Sequence, residues 1–349
     1  MSTKRREKPA KMADIARAAG VAVSTVSRAL AGSSLVEKSQ RVEIMRIAKE
    51  SGYVVNSTAR NLRLQRTQIL SVVIPLGHEA SQPLTDPFFV EMLGYLADEI
   101  TQRGYGMFLQ KVLPPMGDWL LQLIGSNRAD GIIVVGQSTE HKALEAVAAH
   151  YLPLVVWGGH LKKQSYCTVG TDNVAGAMAA TEHLLKLGRR KIVFFGDPSI
   201  PEIRLRYQGY QQALTHGPKD AAGPRGVPAH LTADTAYEAM RAFVDSGADF
   251  DAVVAASDVI AMSAIRALTA SGRSVPEQVA VVGYDDLAMA GHFNPPLTSV
   301  RQDLRHGAHV LVDLLFRRMN GESTPSATMP AELVVRESSA ATAAGRRRP

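Results

Sequence analysis

Four stretches of this chain place carboxylate, guanidinium, hydroxyl and aromatic groups just after apolar runs. Asp86-Pro87-Phe88-Phe89 comes after Ile69 to Ile74, and Arg204 and Arg206 open an amphipathic stretch beyond Asp197. Ser257-Asp258 follows Val253 to Ala256, and Asp285-Asp286 follows Val281-Val282-Gly283-Tyr284. Aromatic faces cover the apolar side of a pyranose ring while carboxylates and guanidinium groups pair its hydroxyls, so this mixture has the chemistry of a sugar site. Each stretch also has a plainer use. The Phe pair can serve a core, the Arg pair a solvated helix start, and the aspartates a helix N-terminus. No nucleophile elbow, phosphate-binding glycine loop or metal-ligand cluster accompanies them, so the sequence points away from an enzyme and calls for no cofactor or metal.

A second chemistry sits near the N-terminus. Met12 to Leu30 (MADIARAAGVAVSTVSRAL) reads as two short helices joined by a tight turn at Gly20. Ile15, Ala16, Ala19, Val21, Val26 and Ala29 have the spacing that closes the two helices on each other, which leaves Val23, Ser24 and Arg28 on the exposed face of the second. Arginine can grip guanine O6 and N7 with two hydrogen bonds, a hydroxyl can serve a base or a phosphate, and valine can touch a thymine methyl. An ordinary alanine-rich helical hairpin with a solvated polar face remains the plain alternative. Charge favours the nucleic-acid reading: Met1 to Arg66 holds fourteen Lys or Arg against five Asp or Glu, whereas the rest of the chain holds 25 against 28. Such a local excess is what phosphate neutralisation requires.

With 349 residues, 46% of them hydrophobic, the chain can bury a large core in two or three domains. The single cysteine, Cys167, excludes an internal disulfide and reads as a small packed residue. The basic leader MSTKRREKPAK runs into an amphipathic helix pair rather than an apolar core, so neither a signal peptide nor a membrane span is expected, and the reading is cytoplasmic.

The elements that must carry these groups follow in order. Lys38 to Ser51 forms a third helix, with Val42, Met45, Ile47 and Ala48 at helical spacing and a stop at Gly52. Asn56 to Arg63 is a short basic segment, too short to be a stable helix alone, on which Ala59 and Leu62 share one face. From Gln68 apolar runs alternate with amphipathic stretches: Ile69 to Ile74, Phe88 to Gln102, Met107 to Gln110, Trp119 to Ile124 and Gly131 to Val135. A second series runs through Asn173 to Leu187, Lys191 to Phe195, Ile203 to His216, Thr235 to Ser246, Ala252 to Ala255, Val259 to Ser271 and Val279 to Gly283. Two such series imply two doubly wound parallel-sheet lobes, with ligands bound beyond the carboxyl ends of the strands where the lobes meet.

The order of these motifs resembles the LacI/GalR family of bacterial transcription regulators along nearly the whole chain. The resemblance rests on Ala13-Asp14-Ile15-Ala16, Gly20-Val21, Thr25-Val26-Ser27-Arg28, Gly52-Tyr53 and Asn56. It continues through Asp86-Pro87-Phe88-Phe89, Asp130-Gly131-Ile132-Ile133, Val282-Gly283-Tyr284-Asp285-Asp286 and Pro295-Pro296-Leu297-Thr298. It implies an all-α helix-turn-helix domain at 1–55, a hinge helix and linker at 56–67, and a periplasmic-binding-protein-like core at 68–340. Within that core one subdomain takes about 68–170 and 300–328, the other about 171–299 and 329–340. The segment 341–349 reads as a disordered tail. Carried over residue by residue, Val23, Ser24 and Arg28 look like base readers, with Thr25 and Ser27 nearer the phosphates. Leu62, beside Ala59, would be the apolar wedge that enters the minor groove and kinks it. Arg206 resembles the family's ligand arginine, Asp285 its ligand carboxylate, and Gln302 a weaker counterpart.

Three positions depart from the pattern. Ala22 replaces the serine or threonine that often caps the recognition helix, a difference of about 1 kcal/mol. Ser257 stands where many members have asparagine and Gly158 where many have aspartate, with Trp157 and His160 as possible replacements. The expected effector site is therefore Asp86, Phe88, Phe89, Trp157, Arg206, Ser257, Asp285 and Gln302, and the expected ligand a glucoside or other small carbohydrate. The function implied is a homodimeric repressor of carbohydrate genes on a palindromic operator, with no membrane partner. A sugar receptor without a DNA role is the alternative.

Overall fold

Gly20 adopts φ +65°, which a Cβ would disfavour, and lets the chain reverse after the helix Met12–Ala18 (α1). The Val21 amide donates back to the Ala16 carbonyl at 3.0 Å and the Gly20 amide to Arg17 at 3.4 Å, closing the end of α1 before Val23–Leu30 (α2) begins. The computed structural model describes residues 10–30, 32–53, 66–77, 80–113 and 118–340. The hinge residues Ala59 and Leu62, the leader up to residue 9 and the tail 341–349 lie outside them. Ile15, Val26 and Ile44 are fully buried at the centre of α1, α2 and Lys38–Glu50 (α3), with Ala16, Ala29, Val36 and Ala48 around them. The third helix turns differently from the sequence expectation. Ile44, Ile47 and Ala48 face the pair, while Val42 and Met45 are exposed. At about 100° per residue one stripe cannot hold 42, 45, 47 and 48 together with 44, and the larger contact is made by Ile44.

Residues 68 onward form a separate unit of two sheets. In the first lobe Ile69–Pro75 (β1), Pro87–Gln102 (α4), Gly106–Val112 (β2), Trp119–Gly125 (α5), Gly131–Val135 (β3), His141–Ala148 (α6), Leu154–Trp157 (β4) and Cys167–Thr171 (β5) succeed one another. The second lobe contains Asn173–Lys186 (α7), Ile192–Phe195 (β6), Pro201–Thr215 (α8), Gly226–Val227 (β7), Ala233–Asp245 (α9), Ala252–Ala255 (β8), Asp258–Ala270 (α10), Ala280–Asp285 (β9) and Thr298–Arg301 (β10). Leu304–Met319 (α11) and Ala327–Met329 (β11) then return to the first lobe, and Glu332–Val334 (β12) to the second.

The sheet orders are β11-β5-β4-β3-β1-β2 and β12-β10-β9-β8-β6-β7, parallel except for β12. Central strands such as β3 are buried along their whole length because helices cover both faces, which is why they are continuous Val/Ile runs rather than alternating ones. The chain crosses between lobes three times, after Thr171, after Arg301 and after Met329. The sequence reading placed them after about 170, 299 and 328. Arg301 still pairs with Asp285 on β9, and Met329 still pairs with Thr171 on β5.

Candidate functional site

Strand ends and helix starts converge on one cleft between the two lobes. From the first lobe Pro75, Val135 and Trp157 terminate β1, β3 and β4; from the second Asp285 terminates β9. This is the crevice where open α/β sheets bind ligands. The cleft is lined by all eight residues singled out from the sequence: Asp86, Phe88, Phe89, Trp157, Arg206, Ser257, Asp285 and Gln302, and the empty space between its walls, open solvent included, is about 700 Å³. Gln82, Glu202, Ile200, Ile203, Leu231 and Val259 complete much of the wall. His160 is exposed and does not line the cleft, so it does not stand in for a missing polar group there. At Gly158 a Cβ would lie 2.8 Å from the Gln137 side chain, so a larger residue there requires Gln137 to move.

Arg206 is held from four sides. It projects from α8 with Pro201 in the first turn; its Nε donates to Asn173 Oδ1 at 2.8 Å and its Nη1 to the Ala256 carbonyl at 2.5 Å. The same Nη1 is 3.7 Å from Asp285 Oδ1, and the guanidinium carbon sits 3.7 Å above the Tyr284 ring. Arg204, two residues earlier, is exposed on the other face of α8. One arginine of the pair therefore faces the cleft.

The Asp285-Asp286 pair divides likewise. Asp285 takes φ +122°, a strained conformation for a residue with a side chain, and accepts Gln302 Nε2 at 2.7 Å. Burial pushes its carboxyl up to about 7; the Asp86 carboxylate works in the same direction, while Arg206 and Gln302 oppose it. Asp286 instead pairs with Arg301 at 2.8 Å and Arg336 at 2.7 Å and is not part of the lining. Behind Asp285, the buried Asp258 accepts from Ser299 Oγ at 2.5 Å and from the Leu287 amide at 2.8 Å, and burial holds its carboxyl well above the usual range.

Two of the polar lining residues also shape the backbone that presents them. Asp86 caps α4, accepting from the Phe88 amide at 2.9 Å, with Pro87 preset for the first helical position. Ser257 caps α10 through the Ile260 amide at 3.3 Å. The plain and the ligand-facing readings of these residues thus coexist. Phe88 and Phe89 meet edge to face at 5.7 Å, Phe89 buried in the first-lobe core and Phe88 partly open.

Sequence reasoning missed Gln82, Glu202, Asn173 and Tyr284. Tyr284 carried a signal, being adjacent to Asp285, and Gln82 lies four residues before Asp86; Glu202 and Asn173 carried none, because their roles depend on partners 65 and 33 residues away. Glu202 Oε1 accepts the Gln137 amide at 3.0 Å and Glu91 Oε1 the Ala288 amide at 2.8 Å, two direct bonds between the lobes.

In the N-terminal unit Val23, Ser24 and Arg28 are exposed along α2, and Thr25 and Ser27 are half-buried beside them. The Ala22 carbonyl receives the Thr25 and Val26 amides at 2.9 and 3.2 Å, so the helix starts in regular fashion without a side-chain cap from Ala22.

Comparison with known proteins accords with both units. Residues 11–56 match the model of bacterial regulatory proteins, lacI family, and residues 181–339 that of a periplasmic binding protein-like domain. The HTH-type transcriptional regulator CelR of Thermobifida fusca is 33% identical over 331 residues, covering 93% of this chain and 96% of its own length. The chain belongs to the LacI family of bacterial transcriptional regulators. Another relative, the HTH-type transcriptional regulator AscG of Escherichia coli, is 30% identical across 94% of this chain and 97% of its own. Among solved structures, a CelR–cellobiose complex superposes with TM-score 0.67 at 30% identity, covering 94% of this LacI-family chain and 99% of its own. A lac repressor dimer bound to operator and the anti-inducer ONPF gives TM-score 0.82 at 23% identity, covering 95% and 99%, which speaks for the fold. The relatives named here are regulators, not enzymes, and no helix among the described residues is long and apolar enough to cross a membrane.

Proposed function

We propose that this regulator is a homodimer that binds a palindromic operator and represses genes of carbohydrate uptake or breakdown, under the control of a small sugar held between the lobes of its core. Val23, Ser24 and Arg28 read base edges in the major groove, Thr25 and Ser27 engage phosphates, and Ala59 and Leu62 belong to a hinge segment that enters the minor groove. In the cleft, Trp157, Phe88 and Phe89 cover the apolar face of a sugar ring, while Arg206, Asp285, Gln302, Asp86 and Ser257 pair its hydroxyls. The observation that carries the reading is the convergence of those charged and aromatic groups on one cleft between lobes, in a chain of this family. Because a CelR relative was solved with cellobiose, glucose disaccharides are the first to test.

Control follows from coupling. A sugar with different affinity for two closures of the lobes shifts their balance, and the bonds from Glu202 to Gln137 and from Glu91 to Ala288 are contacts that such a movement makes or breaks. In a gel-shift titration with fragments from the neighbourhood of the gene, a sequence-specific complex that a sugar dissolves or strengthens is the expected result. No specific complex with or without sugars counts against the proposal.

A further inference from the structure

A residue of the cleft wall carries an acceptor that the protein leaves unmet. Gln82 is 4% exposed and lines the cleft wall. Its Nε2 donates to Asp86 Oδ2 at 3.0 Å, and its backbone carbonyl receives Lys111 Nζ at 2.9 Å. With the residue fixed at both places, its side-chain oxygen Oε1 is buried with no hydrogen-bond partner. The amide cannot be turned over to relieve this, since its oxygen would then face the Asp86 carboxylate. A buried acceptor in this state gains strongly when a donor arrives.

Charge points the same way. Among the described residues, Asp86, Glu202 and Asp285 line the cleft against one cation, Arg206. That guanidinium is already committed to Asn173, the Ala256 carbonyl, the Tyr284 ring and Asp285. Lys111 is engaged by the Gln82 carbonyl and is not part of the lining. A phosphate or carboxylate entering the cleft would meet the Asp86 and Glu202 carboxylates as well as the guanidinium, whereas a hydroxyl can donate to any of the acids and to Gln82.

We infer that this cleft selects an uncharged, hydroxyl-rich ligand that donates a hydrogen bond to Gln82 Oε1, and that it rejects sugars carrying a phosphate or carboxylate. The inference rests on the sugar reading above and narrows it to a ligand class.

Calorimetric titration of the full chain tests it with matched pairs. Glucose is set beside glucose 6-phosphate and glucuronate, galactose beside galacturonate, and cellobiose beside cellobionate. The neutral member that binds should do so roughly a hundredfold more tightly than its acidic counterpart, because like charges brought together at a desolvated site cost several kcal/mol. An acidic member binding as well as or better than its neutral partner overturns the inference while leaving a sugar-responsive regulator. Gln82→Leu should weaken the neutral sugar about tenfold, and that loss should vanish for the monodeoxy sugar lacking the donated hydroxyl. Equal losses for the parent and every monodeoxy sugar would reduce Gln82 to a structural part and refute its role. Absence of binding by every sugar removes the sugar reading and this inference with it. The matched-pair comparison uses the unaltered protein, so the result stands even if Gln82→Leu fails to fold.

Discussion

Gly209→Ala should disrupt the second lobe although it adds a single methyl group. Gly209 lies on α8 where that helix crosses α7, and a Cβ there would sit 2.1 Å from the Val174 carbonyl oxygen and 3.0 Å from the Met178 amide nitrogen. Both are backbone atoms, so no side chain can swing aside. Ordinary contact begins near 3.4 Å, and the helices must part by more than 1 Å. Overpacking that moves backbone costs about 3 kcal/mol, against about 1 kcal/mol gained from alanine's better helix propensity. The net loss of about 2 kcal/mol corresponds to a melting temperature about 4–8 °C lower. Parting α7 from α8 also stretches the 2.8 Å bond from Arg206 to Asn173, so effector affinity should fall with stability. Gly94→Ala on α4 is the control: it is exposed, has no atom within 4 Å of its Cβ position, and should be neutral or stabilising by up to about 1 kcal/mol. Calorimetric melting of both variants decides the matter. If Gly209→Ala melts at or above the parent temperature, the close-approach reasoning fails.

Other outcomes follow from single groups. Arg28→Ala should cost about 1–3 kcal/mol of operator binding and relax preference at one base pair per half-site, and an equal loss on all DNA sequences in a competition gel shift would refute base reading by Arg28. Asp285, held up to about 7 by burial, keeps its proton in the folded state after the unfolded chain has released it near the ordinary value of 3.8; stability should therefore fall as pH rises between those values and level off above about 7. Asp285→Asn should flatten that decline in melting temperature, with Asp258 and Asp86, both raised by burial, supplying what remains, and an unchanged slope would show that Asp285 does not titrate there. Ser257→Ala should remove the cap on α10 at a cost of about 1 kcal/mol, read as a lower denaturant midpoint at unchanged slope; no change would mean that water or another group already serves the Ile260 amide.

The helix pair and central strands such as β1, β3, β8 and β9 were legible because each is specified locally. Gly20 supplies a left-handed turn, Ile15 and Val26 fall on facing stripes, and strands such as β3 are unbroken apolar runs that only a doubly covered sheet accommodates. Elements lacking such a local signature were not found in the sequence. β11 and β12 are three residues each, and β7 is two; they exist because a ladder partner on β5, β10 or β6 is in place. The strands β4, β5 and β10 and the helices α6 and α11 were missed as well; the apolar face of α11 is interrupted by Gly307, where Trp157 presses against the backbone.

The same division runs through the cleft. Residue types and their place after strands were enough to nominate Arg206, Asp285 and the Phe88-Phe89 pair, since the ends of parallel strands are where such folds put chemistry. Nothing local could say that Asp285 turns inward while Asp286 goes to Arg301 and Arg336, that Arg204 faces solvent, or that Gln82 is fixed by Asp86 with its oxygen left over. Those outcomes hang on a positive φ, on burial and on partners far along the chain. Sequence determined which groups are available and on which elements they ride; folding alone decided which of them lose their water together, and that loss is what gives the survivors their altered protonation and unmet hydrogen bonds.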